Sequence, residues 1–362
     1  MSEEAPFLPA GNATLIGSLP LHDYDQALDL ILTHTPEIPL WPQLPGNPAE
    51  GGMLRQFSEN LPGFRQEHDR TFFRSSAPDF PERQLAFFEE YLAAGEDPRR
   101  LESPLFAGSP ERVPGLYHLR ERLQAGPQTR LRAVKGQITG PFTLLTGLKD
   151  ENQQDAWYDQ ALHEVVVKGL AMKAAWQTRF LAALGVPVLI FLDEPALAGL
   201  GSSSYITVSL AEIGGDLNEV IAAVHGAGGL AGIHVCANTD WDFLLSLKLD
   251  ILSFDAYSYF ERLIGSRAAL HAFLERGGII AWGLVPTAEE EQIARETAPA
   301  LVARWEEQAG QLTDNRWDLP RILNRSLITP SCGTGSLSLE AAGRVLALTS
   351  EVSSILRGKY SR

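Results

Sequence analysis

Apolar residues fall along this chain in two alternating textures: short runs in which almost every position is apolar, and longer stretches with apolar positions three and four apart. The first marks strands buried on both faces and the second marks amphipathic helices. Eight short runs stand out, at 13–18, 38–43, 131–138, 186–192, 230–236, 250–255, 278–285 and 326–330. Helical patterns separate them, among them 153–184, 288–307 and 337–356, and Asp23 is placed to cap a first helix whose apolar face is Ala27, Leu28, Leu30, Ile31 and Leu32. Residues 46–128 are less regular, with helical pieces at 82–94 and 111–124, and read as a long excursion between strands two and three. Strands alternating with helices imply an α/β protein with a parallel sheet, and eight of them imply a (β/α)8 TIM barrel formed as a single catalytic domain over 1–362. An open doubly wound sheet would carry a glycine-rich phosphate loop after its first strand, and Ile16-Gly17-Ser18-Leu19-Pro20 is not one.

In such a barrel the carboxyl ends of the strands open on one face. The residues expected there are Ser18, Gln43, Thr139, Asp193 with Glu194, His234 with Cys236, Asp255, Val285 and Cys332. Side chains two apart on a strand point to the same side, so His234 and Cys236 face one point in space. A cysteine or histidine on an apolar strand is ordinarily a core residue. Here the fold brings His234, Cys236 and Cys332 to one mouth, and two thiolates with an imidazole suit Zn2+. A fourth position left open would take a thiol and hold it ionised, or take water and make a hydrolase, and spacing does not separate the two. Asp193 is placed to hold a substrate ammonium or act as a base, against the alternative of a helix cap for it and Glu194. Asp255 is a candidate fourth metal partner, with the same alternative. Lys135 lines the barrel.

Composition narrows the partners. The chain of 362 residues carries a formal charge of -15, with a pI near 5.0 and a mean hydropathy of -0.07. That surface repels nucleic acid and anionic membranes. No apolar run approaches the roughly 18 residues that span a bilayer, and an acidic start without an apolar core leads to the expectation of a cytoplasmic protein. Two cysteines in such a length do not make a disulfide framework.

Four segments, Thr14-Leu15-Ile16-Gly17-Ser18, Lys135-Gly136-Gln137-Ile138-Thr139-Gly140-Pro141, Leu192-Asp193-Glu194-Pro195-Ala196-Leu197 and Pro330-Ser331-Cys332-Gly333, carry a resemblance. The chain resembles the catalytic domain of cobalamin-independent methionine synthase, within the superfamily that includes uroporphyrinogen decarboxylase and corrinoid-dependent methyltransferases. It looks like a stand-alone catalytic core of that family, without the large amino-terminal duplicate. The resemblance implies that His234, Cys236 and Cys332 bind zinc, that the metal activates the homocysteine thiol, and that Ser18 and Asp193 hold the amino-acid part of that substrate. Three positions depart from the family pattern. Asp255 stands where the family has a glutamate ligand, Gly147 where it has a folate-stacking tryptophan, and Val285 near a histidine associated with folate turnover. A thiol methyltransferase that takes its methyl group from a methylated corrinoid protein is therefore expected, rather than one using methyltetrahydrofolate. The segment His234-Val235-Cys236-Ala237-Asn238-Thr239 is also similar to the zinc motif of methylcobamide:coenzyme M methyltransferases. Two further readings stay open: a metal-independent decarboxylase, which would want an arginine cluster near strand one, and a zinc-stapled binding protein, in which Asp255 would close the metal shell.

Overall fold

Six strands form one parallel sheet in the computed structural model, which describes residues 7–67, 70–126, 129–200, 205 and 207–360. Two short strands of the excursion come first in the chain, β1 (Phe64–Glu67) and β2 (Arg70–Phe73), paired antiparallel. The main sheet runs β3 (Val134–Thr139), β4 (Val188–Asp193), β5 (Leu230–Val235), β6 (Ile251–Phe254), β7 (Ile279–Val285) and β8 (Ser326–Pro330), each hydrogen-bonded to its neighbours in chain order.

The expected eight-stranded (β/α)8 barrel is not what forms. Residues 13–18 and 38–43 make no strand, and their backbone pairs with the sheet through isolated parallel bridges, Ala13 to Ile328 at one edge and Leu40 to Lys135 at the other, with Ser18 bridging Gln43 between them. The cause is local. Pro36, Pro39, Pro42 and Pro45 remove the N–H donors a ladder needs over 36–45. The first segment bonds β8 where the Thr14 N–H donates to the Ile328 carbonyl, and its side chains add ties to main chain: Asn12 donates to the Pro9 carbonyl and Thr14 to the Ile38 carbonyl. An amide network reinforces the few main-chain bonds at the other edge, with Trp41 Nε1 donating to Gln177, Gln177 to the Gln137 carbonyl, and Gln137 Nε2 to the Trp41 carbonyl.

Helices cover the outer face. Gln160–Ala182 follows β3, Leu210–Gly226 follows β4 with a Ser209/Glu212 capping box, and Leu339–Tyr360 follows β8. The first helix, Tyr24–His34, is capped by Asp23 as its sequence predicts. The single helix expected over 288–307 is two, Glu290–Arg295 and Ala298–Gly310, because Pro299 falls at the start of the second and Thr297 caps it. The excursion supplies the hairpin and the helices Gly52–Ser58, Phe80–Glu96 and Pro114–Gln124. No helix among the described residues is long and apolar enough to cross a membrane.

The inner face of the sheet is graded. Ile38, Ala133, Leu189, Phe191, Ile251, Ile279, Ala281 and Leu327 form a separate apolar cluster toward the amino ends of the strands. Two residues further along β4, β5 and β6 the same face turns polar, at Asp193, His234 and Ser253. Gly232 makes room for this packing, since a Cβ there would sit 2.8 Å from the Phe191 ring. Truncating Phe191 would cost about 3–5 kcal/mol, so the apolar floor is a rigid base for the polar rim.

Candidate metal centre

His234 sits one residue before the end of β5 and is 4% exposed. Parallel register puts it beside Asp193 of β4 on one side and Ser253 of β6 on the other. Its Nδ1 lies 3.0 Å from the Ser253 hydroxyl, whereas Nε2 is buried and has no hydrogen-bond partner among the described residues. Such an orphaned ring nitrogen is costly unless something binds it. Cys236 follows in the bend after β5, and Cys332 in the bend after β8. The ligand atoms of His234, Cys236 and Cys332 all lie within 4.8 Å of one another.

This donor set fits Zn2+. Two sulfurs and one imidazole nitrogen, converging with the other ring nitrogen already engaged by a neighbouring hydroxyl, are the donor types of a three-ligand site beside an open cavity. Asp255 is not part of the group. It is 8% exposed and its Oδ1 accepts the Ser258 N–H at 2.9 Å, capping the helix Ala256–Leu263. Burial raises its carboxyl above the usual range.

Electrostatics couple these groups. The close approach of Cys332 and His234 favours the ionised Cys236 sulfur and holds its thiol well below the usual range. The same contact, with burial, pushes Cys332 up. Asp193 ends β4, and its Oδ1 is buried with no partner among the described residues. Burial pushes its carboxyl up to about 6, against the opposing influence of Lys135 and His234. Lys135 is wholly buried below, donating to the Ile16 carbonyl at 2.5 Å with its Nζ 4.5 Å from the Phe191 ring centroid. It lines the interior, as its place in the strand predicts.

Glu194 has a different task. Its carboxylate accepts from the N–H groups of Phe142 and Thr143 and from the Thr143 hydroxyl, at 3.0, 2.8 and 2.6 Å. It thereby caps the helix Pro141–Gly147 of the neighbouring unit rather than its own. Gly140 is required beside it, because a Cβ there would fall 2.2 Å from the carboxylate.

A cavity of about 500 Å³ opens above the triad, and Ser18, Asp193, His234, Cys236 and Cys332 all line it. Ser18 reaches it from the irregular first segment: its Oγ accepts the Gly335 N–H and its carbonyl accepts the Thr334 N–H. Sequence reasoning missed the opposite wall. Glu50, Met53 and Gln56, from the excursion, also line the cavity. Glu50 is held by Tyr24 and the Leu44 N–H, and Gln56 by Gln43. The Gly51-Gly52 pair, with φ of 72° and 73°, was the one local signal, since two left-handed residues in a row mark a turn into the helix Gly52–Ser58.

No family model matches the chain, and comparison with curated proteins gives no match. Among solved structures, that of the tandem GH20 catalytic modules in the pneumococcal exo-beta-D-N-acetylglucosaminidase StrH is similar at 10% identity and a TM-score of 0.44, over 95% of this chain and 85% of that one. A likeness at that level carries neither fold nor function to this chain.

Proposed function

We propose that the chain is a zinc-dependent methyltransferase that methylates a thiol, with homocysteine as acceptor and a methylcorrinoid rather than methyltetrahydrofolate as donor. The observation that carries this reading is the convergence of His234, Cys236 and Cys332 beside an unpartnered Asp193 carboxylate in one cavity. Zinc, when bound, supplies a Lewis acid that keeps the acceptor thiol ionised near neutral pH. The protein's own groups do the rest. Ser253 orients the His234 ring so that Nε2 faces the ligand position. Asp193 receives the acceptor's ammonium, and Ser18 lies on the same wall for its carboxylate end. Methyl transfer then forms one S–CH3 bond as the donor's bond to methyl breaks, and the thiol proton leaves to solvent.

Two features bear on donor and acceptor. A Cβ at Gly147, where the family's pterin platform would begin, would meet Leu54 at 2.9 Å, so a side chain of the excursion occupies that place. No arginine or lysine lines the cavity among the described residues. This disfavours coenzyme M, whose sulfonate would face Asp193, and a porphyrinogen decarboxylase, whose substrate carries several carboxylates. The test is methyl transfer by zinc-loaded protein from methylcobalamin or methyltetrahydrofolate to homocysteine or coenzyme M. Turnover with methylcobalamin and homocysteine alone is expected. Background rates with every pair would refute the reading.

A further inference from the structure

The chain's two cysteines lie far apart in sequence, yet their sulfurs are within 4.8 Å of each other. Both belong to bends after strand ends, not to the ladder itself, so the last ångströms of approach need no strand to move. Both line the solvent-connected cavity, which gives a small oxidant a path to them. Neither is walled off by a disulfide to a third cysteine, since there is none.

We propose that Cys236 and Cys332 form a reversible disulfide that switches the site off. The inference deepens the metal-centre reading, and its consequence for zinc rests on that reading, whereas bond formation does not. A peroxide is the oxidant class. One sulfur attacks the O–O bond, becoming a sulfenic acid as one oxygen leaves as water; the second sulfur displaces the hydroxyl of that sulfenic acid, releasing a second water. Two thiols and one hydrogen peroxide thus give one disulfide and two waters, and the two electrons lost by sulfur reduce the peroxide. Neutral disulfide sulfurs are poor ligands, so His234 alone would remain and zinc would leave. Adjacency serves two purposes here. A sulfenic acid formed next to a second thiol is captured before it oxidises further, which is what makes the change reversible by a dithiol.

The experiment uses the full chain loaded with zinc and treated with equimolar hydrogen peroxide. Four readouts are taken: zinc release to a chromophoric chelator, free thiols under denaturing conditions, intact mass, and a peptide map. Expected are loss of both thiols, a mass lower by two hydrogens, a crosslink joining the Cys236 and Cys332 peptides, and release of zinc, all reversed by dithiothreitol and zinc. Cys236→Ser and Cys332→Ser, treated alike, should form no internal crosslink. Separate oxidation of each cysteine to sulfinic acid, or thiols untouched while methionines oxidise, would overturn the proposal even if zinc is present. Protein that binds no zinc yet forms the crosslink would refute the metal-centre reading and leave the disulfide standing.

Discussion

Asp193→Asn is the substitution that isolates how the acceptor is held. It keeps the shape of the side chain and removes its charge. The Asp193 Oδ1 is buried and unpartnered among the described residues, so a substrate ammonium would be its first close partner. At an effective dielectric near 20, two unit charges about 4 Å apart attract by roughly 4 kcal/mol. Desolvation of both groups offsets part of this, leaving about 1.5–3 kcal/mol for a charge-assisted hydrogen bond. That corresponds to roughly a 10- to 150-fold weaker Kd. The assay is calorimetric titration of zinc-loaded protein at about pH 7.5, above the value of about 6 at which burial places this carboxyl, so that it is ionised. Homocysteine is compared with 4-mercaptobutyrate, the same thiol without the amino group. Homocysteine should weaken by the stated factor and 4-mercaptobutyrate should weaken little or bind better. Equal loss for both ligands, or no loss for homocysteine, would refute the assignment of Asp193 to the ammonium.

Three further outcomes follow from other parts of the structure. Asp255→Ala should cost about 1 kcal/mol through loss of the helix cap while zinc content stays at wild-type level, because Asp255 lies outside the ligand group; loss of zinc would make it a ligand after all. Burial pushes Glu194 up to about 7, outweighing the three hydrogen bonds it accepts. A carboxyl raised in the folded state stabilises most below its unfolded value near 4.5, and this contribution is lost as pH rises through about 7. Urea denaturation from pH 5 to 8 should therefore show stability falling in that window, and Glu194→Gln, though weaker overall, should have a shallower slope, the remainder coming from Asp193; an unchanged slope in the variant contradicts the assignment. Gly147→Trp should destabilise by about 1–2 kcal/mol through Leu54, and Leu54→Ala should relieve it; purely additive effects in the double variant would show that the two positions do not meet.

How far the fold could be read depended on what each segment uses to satisfy its backbone. β4, β5 and β7 are nearly continuous apolar runs, and the positions of β3 to β8 in the sequence match those in the structure to within a few residues. The runs at 13–18 and 38–43 look the same to a hydrophobicity pattern. Their backbone groups make only isolated bridges to β8, to β3 and to each other, supplemented by side-chain bonds, rather than a continuous ladder, and this is invisible until the tertiary partners are known. The triad was legible because the chain has only two cysteines and both follow strand ends on one rim; β5 and β8 are three strands apart in the sheet order, so curvature of the sheet, not register alone, brings their ends together. The excursion wall was not, because Glu50 and Gln56 owe their positions to Tyr24 and Gln43, partners with no periodic relation to them. Glu194 shows a third case: its place before Pro195 reads as the first turn of a following helix, whereas its carboxylate caps Pro141–Gly147, in the preceding strand's unit.

The central claim is that three side chains hold a metal ion, and elemental analysis of purified protein tests it most directly. Wild type and the Cys236→Ser, Cys332→Ser double variant are compared, with circular dichroism confirming that both are folded. About one zinc per chain in wild type, absent from the double variant, is the result the account predicts. Folded wild-type protein that holds no zinc after incubation with excess metal and dithiothreitol would contradict it.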